Sequence, residues 1–322
     1  MRSTFFTFIA ILIISKSLFS QDYAKVDTIV QNYSNSFSSP DKLAKQINRD
    51  FTLSEEKARA IYTWIALNVE YDIELLKSKP KKTSFSYRTQ EEKLEKERKI
   101  IEDVANKTIR KKKAICHGYS TLYKYLCDLV SVDCEYISGG AISKKQDIGK
   151  LPKKNGHAWN AVKIKNEWKL IDVTWGAGYA NENSTRFTPE FNDFYFFTSP
   201  EKFFLNHYPK DTAFLIVDKS PIDFANLPYF NTNYFHWNIE IIEPKTGTID
   251  LTHNDSIKII LRNPQKESIS MKFKNKKKSE TVLANIENEF YTFEIEYKKS
   301  SNTYLTIYIN SEAIVTFKIK RI

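Results

Sequence analysis

The spacing of apolar side chains divides the chain into a mainly helical part and a later part that is rich in strands. Ile61, Ile65 and Val69 recur at helical spacing, and such a period predicts an amphipathic helix. Further helices are predicted within residues 22–50 and 90–106 and from Cys116 to Cys127. The first part of the chain is therefore expected to contain several helices packed on a core.

Two apolar runs after these helices predict a β-hairpin. Residues 157–164 and 167–174 alternate in character and flank the turn residues Lys165 and Asn166, which is typical of a tight hairpin. A two-residue turn places Ile164 opposite Glu167. The same register places Asp172 on the face of His157 and diagonal to it, about 7–8 Å away at the backbone. A three-residue loop would instead put the two residues on opposite faces unless a bulge intervened, so the spacing is compatible with a pair but does not force one.

Helical signals end near residue 225, and short alternating runs rich in Ile, Phe, Thr and Tyr follow. Turn residues separate these runs, a pattern typical of a β-sandwich. The clearest predicted strands are Ile257–Leu261, Phe290–Tyr297, Tyr304–Ile309 and Ala313–Ile319. The sequence thus predicts an α+β domain over residues 21–225 and an all-β, Ig-like sandwich over residues 230–322.

The composition supports a two-domain globular protein. The chain has 322 residues, of which 41% are apolar and 14% aromatic, enough to build sizeable cores. Its net charge is +10, but the lysines are spread over several surface runs, as in a solvated surface. No stacking motif or recognition helix accompanies them, so we expect no nucleic-acid partner; an anionic envelope polymer suits this charge at least as well.

The first twenty residues have the pattern of a secretory signal peptide. Arg2 precedes an apolar run at Phe5–Ile14, and small residues end with Ser20. A membrane anchor is the alternative, but a span needs about 20 apolar residues. We therefore expect residues 1–20 to be cleaved after Ser20, giving a secreted or periplasmic protein without a transmembrane span in the mature chain.

The cysteines pose a question of pairing. The chain has three cysteines, Cys116, Cys127 and Cys134. In an oxidising compartment an odd number leaves one thiol unpaired. Cys127 and Cys134 either form a bridge or are small buried residues, and the sequence leaves both alternatives open.

Cys116 is a candidate nucleophile. It opens a predicted helix after the basic run Arg110–Lys113, and a helix N-terminus favours the thiolate, the reactive form. Its own N–H is available to an oxyanion, and Gly118 is expected to leave room for a substrate backbone. A buried structural cysteine is the alternative interpretation.

His157 and Asp172 are candidate partners of this thiol. A cysteine nucleophile needs a base, and a carboxylate within an apolar run has a reason to be there if it orients a histidine. The competing histidines are His117, His207, His236 and His253.

Five ordered motifs resemble the transglutaminase-like superfamily of cysteine enzymes, which is related to papain-like proteases. They are Trp64–Asp72, Ile115–Ser120, Tyr136–Gly140, Gly156–Trp159 and Leu170–Gly176. A further stretch, Asn192–Pro209, resembles the kyphoscoliosis-peptidase-like branch. The resemblance covers roughly residues 40–215 and implies Cys116 as nucleophile, His157 as base and Asp172 as orienting residue.

The expected function is that of an exported cysteine enzyme acting on amide bonds through an acyl-enzyme, with hydrolysis favoured over transglutaminase crosslinking. Its expected substrates are proteins, peptides or peptide-containing envelope polymers. No metal-ligand spacing or nucleotide-binding motif is present, so no metal and no cofactor are expected. The alternative is a non-catalytic binding or scaffold protein that uses the same fold and the β-sandwich; the sequence leaves the oligomeric state open.

Overall fold

The protein consists of helices and mainly antiparallel sheets. The computed structural model describes residues 23–78, 85–181, 183–253, 255–263 and 265–321. The helices are α1 (Ala24–Gln31), α2 (Pro40–Asp50), α3 (Ser54–Asn68), α4 (Ile73–Lys77), α5 (Gln90–Lys111), α6 (Cys116–Leu129), α7 (Val173–Gly176), α8 (Pro200–Phe204) and α9 (Pro221–Ala225). The predicted signal peptide, residues 1–20, lies outside the described residues.

The strands follow the same chain order. They are β1 (Glu70–Tyr71), β2 (Lys113–Ala114), β3 (Cys134–Ala141), β4 (His157–Ile164), β5 (Glu167–Ile171), β6 (Gly178–Ala180), β7 (Phe187–Pro189), β8 (Phe196–Thr198), β9 (His207–Pro209), β10 (Tyr229–Phe230), β11 (Glu240–Glu243), β12 (Thr248–Asp250), β13 (Ser256–Arg262), β14 (Ile269–Phe273), β15 (Glu280–Thr281), β16 (Asn285–Glu287), β17 (Phe290–Glu296), β18 (Thr303–Ile309) and β19 (Glu312–Lys320).

A central antiparallel sheet has the strand order β8-β5-β4-β3-β9. The predicted hairpin is confirmed, because Ile164 pairs with Glu167. Lys165 and Asn166 both have positive φ, at 51° and 68°, as two-residue hairpin turns require. The predicted strand 167–174 is too long: β5 ends at Ile171 because the next residue caps helix α7.

Helix α6 lies at the centre of the N-terminal part, packed between the other helices and one face of the sheet. Its buried side chains share a core with those of α1, α2, α3 and α5. The hydroxyl of Tyr123 donates to the carbonyl of Ala58 in α3 at 3.0 Å, and Nδ2 of Asn160 in β4 donates to the carbonyl of Ser120 at 3.1 Å. These bonds fix α6, and with it Cys116, relative to the sheet.

The strand-rich part, residues 229–321, consists of two sheets that share one core. One sheet has the order β10-β19-β18-β14-β15, with β12 also paired to β19, and the other has the order β11-β13-β17-β16. Ile259 and Phe293 of one sheet and Leu305 and Phe317 of the other are buried in that core. The α+β class, with a β-rich C-terminal part, is confirmed, and the predicted strands coincide with β13, β17, β18 and β19. The exact domain boundaries stay a prediction.

Phe235 joins the two parts. It lies in a 3₁₀ turn at Thr232–His236 and stacks on Phe194, with ring centroids 4.3 Å apart. Its ring also meets the edge of Tyr195 at 6.0 Å. The strand-rich part therefore packs directly on the segment that holds Tyr195.

The three cysteines are free thiols, and two of them are neighbours. Cys127 and Cys134 are both buried, and burial, together with a hydrogen bond between the two side chains, raises the pKa of Cys127. Of the two alternatives left open by the sequence, the structure shows the buried pair without a bridge. No helix within the described residues combines the length and the apolar run that crossing a bilayer requires.

Candidate active site

Cys116 is the first residue of α6, as the sequence predicts. Helix α5 ends at Lys111, and the next residue, Lys112, adopts a left-handed conformation with φ of 50°. The chain then passes through the short strand β2, which pairs with β1, and enters α6 after the extended Ile115. The thiol of Cys116 is partly exposed, whereas those of Cys127 and Cys134 are buried. Cys116 is thus the cysteine that a substrate can reach.

Gly118 serves the packing of this helix and not, as expected, the approach of a substrate. A Cβ at this position would lie 2.6 Å from Cβ of Ala114 and 2.9 Å from Oγ1 of Thr108. The residue is buried, so no substrate backbone passes over it. The glycine allows the first turn of α6 to lie against the end of α5.

His157 is the first residue of β4 and lies opposite Gly139 of β3. Its Nε2 is 2.6 Å from Oδ2 of Asp172, which leaves Nδ1 for the thiol. The imidazole of His157 lowers the pKa of the Cys116 thiol, and the thiol in turn raises the pKa of His157, so the two side chains are neighbours. The three residues singled out from the sequence therefore lie side by side in the order Cys116, His157, Asp172.

Asp172 is wholly buried and has hydrogen-bond partners at both carboxylate oxygens. Oδ1 caps helix α7 by accepting from the N–H groups of Thr174 and Trp175, at 2.9 and 3.1 Å. Oδ2 accepts from Nε2 of His157 at 2.6 Å and faces Nε2 of His207 at 2.8 Å. The prediction that Asp172 meets His157 across the hairpin is confirmed, although Asp172 is a helix cap and not a strand residue.

The electrostatics of the three side chains favour an ion pair. Burial alone would raise the pKa of the Cys116 thiol, but the hydrogen bond and charge of His157 outweigh it and hold the pKa below its usual value. Burial alone would lower the pKa of His157, but the Asp172 carboxylate and the thiolate raise it to about 10. Burial opposes ionisation of Asp172 too, yet His157 and His207 hold its pKa far below the ordinary range.

His207 belongs to this cluster, whereas the other competing histidines do not. His117 points to the hydroxyl of Tyr136, 3.1 Å from its Nδ1, and His236 and His253 lie in the strand-rich part. In the sequence, His207 is one of the histidines that compete with His157 as partner of the thiol, and it has no role of its own. The one signal that pointed to it was its place at the end of the motif Asn192–Pro209.

His157, Asp172 and His207 also form a set whose ligand atoms lie within 4.8 Å of one another, which raises the question of a metal. Zinc bonds to N and O ligands of about 2.0–2.1 Å place tetrahedral ligand atoms roughly 3.3 Å apart. The separations here are 2.6 and 2.8 Å, which are hydrogen-bond distances. The side chains point at one another and not at a shared ion, so the geometry fits hydrogen bonding better than zinc ligation.

Comparison with known proteins gives three kinds of match. Residues 41–173 match the family model described as the transglutaminase-like superfamily. Kyphoscoliosis peptidase of Homo sapiens is 29% identical over 238 residues, which are 73% of this chain and 33% of that protein. Hillarin of Drosophila melanogaster is 26% identical over 152 residues, 42% of this chain and 18% of that protein. A solved structure described as the crystal structure of a TGase is 16% identical, with a TM-score of 0.29, over 58% of this chain and 40% of that one. The chain spans about a third or less of the length of these two curated relatives.

Proposed function

Because residues 41–173 belong to the transglutaminase-like superfamily, we propose that this protein is a cysteine enzyme that acts on amide bonds of proteins or peptides. Cys116 is the nucleophile, His157 is the general acid and base, and Asp172 orients His157. These roles follow the order of contacts from the thiol through the imidazole to the carboxylate.

The buried hydrogen bond of His157 with Asp172 at 2.6 Å, beside the Cys116 thiol, is the observation that carries this proposal. The pKa of Cys116 is lowered and that of His157 is raised to about 10, so near pH 7 the proton resides on the imidazole. The backbone N–H of Ala158 also helps to lower the pKa of the thiol. A thiolate paired with an imidazolium is the activated nucleophile of cysteine enzymes.

The proposed reaction balances with these groups alone. The Cys116 sulfur attacks the carbonyl carbon, and the C–N bond breaks as the His157 imidazolium gives its proton to the leaving amine. A thioester results. Neutral His157 then takes a proton from the acceptor, which attacks the thioester; the C–S bond breaks and the Cys116 thiolate leaves, which restores the thiolate and imidazolium. The first N–H groups of α6 have no acceptor within the helix, so the N–H of Cys116 is suited to stabilise the oxyanion.

We favour water over an amine as the acceptor, which makes the protein a peptidase or amidase. One supporting point is that the human relative aligned over 73% of this chain is named a peptidase. An amine acceptor would instead make it a transglutaminase. Both outcomes share the same thioester, so they differ only in the second half of the reaction.

Incubation of the protein with a peptide library, followed by mass spectrometry, tests the proposal. We expect new peptide termini with the wild type and none with Cys116→Ala. Cys127→Ala is the matched control, because it makes the same change on the same helix at a buried thiol, and it should stay active. Isopeptide-linked products would show that the enzyme crosslinks its substrates and does not hydrolyse them. An inert wild type would point to a binding protein.

We further propose that the protein acts outside the cytoplasm, on proteins or on peptide-containing envelope polymers. The support is the N-terminal pattern of Arg2 and the apolar run Phe5–Ile14. Expression in a bacterial host and N-terminal sequencing of the exported form test this. A mature chain starting at Gln21 is expected, and a cytoplasmic chain that keeps Met1 or Arg2 would contradict export.

A further inference from the structure

His207 is a buried polar side chain that the proposed reaction does not use directly. It begins β9, which pairs with β3 through the contact of Ala141 and His207, and it is 1% exposed. Aromatic rings enclose its imidazole: Phe203 stacks on it at 4.0 Å, and Trp175 and Trp159 lie at 4.6 and 5.0 Å between ring centroids. An imidazole in such surroundings is costly unless its polar atoms are paired.

Both ring nitrogens of His207 are paired. Nε2 lies 2.8 Å from Oδ2 of Asp172, and Nδ1 lies 2.5 Å from Oδ1 of Asn206. Nδ2 of Asn206 donates to the hydroxyl of Tyr195 at 3.3 Å. A continuous buried network thus runs from Tyr195 through Asn206 and His207 to Asp172.

We propose that His207 is a positioning residue: it holds the Asp172 carboxylate so that His157 presents its other nitrogen to Cys116. This positioning role depends on the proposed function only in one respect, namely that holding Asp172 in place benefits catalysis. An ionised carboxylate offers about four acceptor positions, and here four donors fill them: two N–H groups at Oδ1 and two imidazoles at Oδ2. A carboxylate held on every side can neither rotate away from His157 nor take up a proton easily.

His207 fulfils this role as a neutral donor. Burial lowers its pKa to about 4, against the pull of Asp172, so the ring does not compete with His157 for the positive charge. Its single proton is on Nε2, since Asp172 accepts there. Nδ1 is then an acceptor, which requires the Asn206 amide to take the orientation opposite to the one in the structure, where Oδ1 faces the ring and Nδ2 donates to Tyr195. With the two ends of the amide exchanged, its nitrogen donates to Nδ1 and its oxygen accepts from the Tyr195 hydroxyl.

The remaining titratable side chains around the site stay neutral near pH 7. Burial raises the pKa of the surrounding tyrosines, namely Tyr62, Tyr71, Tyr119, Tyr136 and Tyr195. Burial also lowers the pKa of His117. The pH response of the thiol therefore reports mainly on Cys116, His157, Asp172 and His207.

Two replacements of His207 separate positioning from mere packing. His207→Phe keeps an aromatic ring for Phe203 to stack on but removes the donor, and His207→Gln supplies an N–H donor without the ring. The rate of Cys116 alkylation by iodoacetamide is measured against pH. We expect the midpoint to move up by about one pH unit in His207→Phe and His207→Gln to recover most of that shift. A folded His207→Phe protein with an unchanged midpoint would overturn the proposal.

A second measurement uses the wild-type protein and does not depend on either variant folding. In protein labelled with ¹⁵N-histidine, the ring shifts of His207 at pH 7 should show a neutral imidazole with its proton on Nε2. An imidazolium, or a proton on Nδ1 alone, would overturn the proposal. The alkylation rates and the ¹⁵N shifts are both measured without substrate. If they support the role of His207 but no peptide is cleaved, the proposed enzyme activity is rejected and the positioning role is retained.

Discussion

Nε2 of His157 lies 2.6 Å from Oδ2 of Asp172, on a carboxylate whose other oxygen caps helix α7. Asp172→Asn separates these two duties, because an asparagine oxygen can still cap the helix while its amide nitrogen faces His157. The imidazolium then loses its anionic partner and the ring is driven to the wrong tautomer. We expect peptide cleavage to fall about 10³–10⁴-fold, with the protein still folded by circular dichroism. Near-normal cleavage would remove Asp172 from the mechanism.

The thiols should differ sharply in reactivity. At pH 6 an ordinary thiol is almost wholly protonated, whereas the contact with His157 lowers the pKa of Cys116. We expect iodoacetamide to label Cys116 at least about tenfold faster than a small-molecule thiol at this pH, and Cys127 and Cys134 to resist because they are buried. Mass spectrometry of tryptic peptides gives the three rates. Urea-unfolded protein is the control, in which all three cysteines should react alike.

The protein should become less stable at alkaline pH, because His157 loses its proton there. Its pKa of about 10 exceeds the value of about 6.5 in an unfolded chain, so its contribution is complete below pH 6.5 and is lost as the pH rises to 10. A Cys116→Ala background removes the thiol titration and also the thiol's share in raising the pKa of His157, so that pKa then lies below 10 and is held up by Asp172. In this background we expect the free energy of unfolding to fall by roughly 2–4 kcal/mol as the pH rises from 6.5 to 10.

The matched variant for this measurement is His157→Gln in the same Cys116→Ala background. Other groups titrate in both proteins, so the difference between their two urea-unfolding curves isolates His157. Parallel curves from pH 6.5 to 10 would show that His157 is not held as a cation in the folded protein.

Gly118→Ala should destabilise the protein despite the general preference of helices for alanine. That preference is about 1 kcal/mol, but the new methyl group would lie 2.6 Å from Cβ of Ala114, which has no flexible end to move. We expect a net loss of roughly 1–2 kcal/mol in urea unfolding. Gly156→Ala is the comparison, because its nearest neighbour is Cβ of Lys153 at 3.2 Å; an equal loss there would contradict the packing argument.

The sequence was compatible with a contact between His157 and Asp172 but did not force it, because only an even-length turn puts the two residues on one face. Helical spacing placed Cys116 at a helix start, and an even-length turn fixed the register that brings Asp172 to the side of His157. Short elements were harder to predict: α7 spans only Val173–Gly176, less than the length over which a helical period is recognisable.

His207 lay beyond sequence reasoning for a different reason. Strand β9 has three residues, too few for an alternating pattern, and its partner β3 lies far earlier in the chain. Nothing local signals such a pairing. The contact of His207 with Asp172 became visible only once the sheet order placed β9 beside β3.

The stacking of Phe235 on Phe194 determines when the site can be held in place during synthesis of the chain. The 3₁₀ turn that carries Phe235 directly follows β10, and β10 pairs with β19 through Phe230 and Val315. Because β19 is the last strand described, it leaves the ribosome after every residue of the site. We therefore expect the contact of Phe235 with Phe194 and Tyr195, and with it the network that ends at Asp172, to be held firmly only after β19 has been translated.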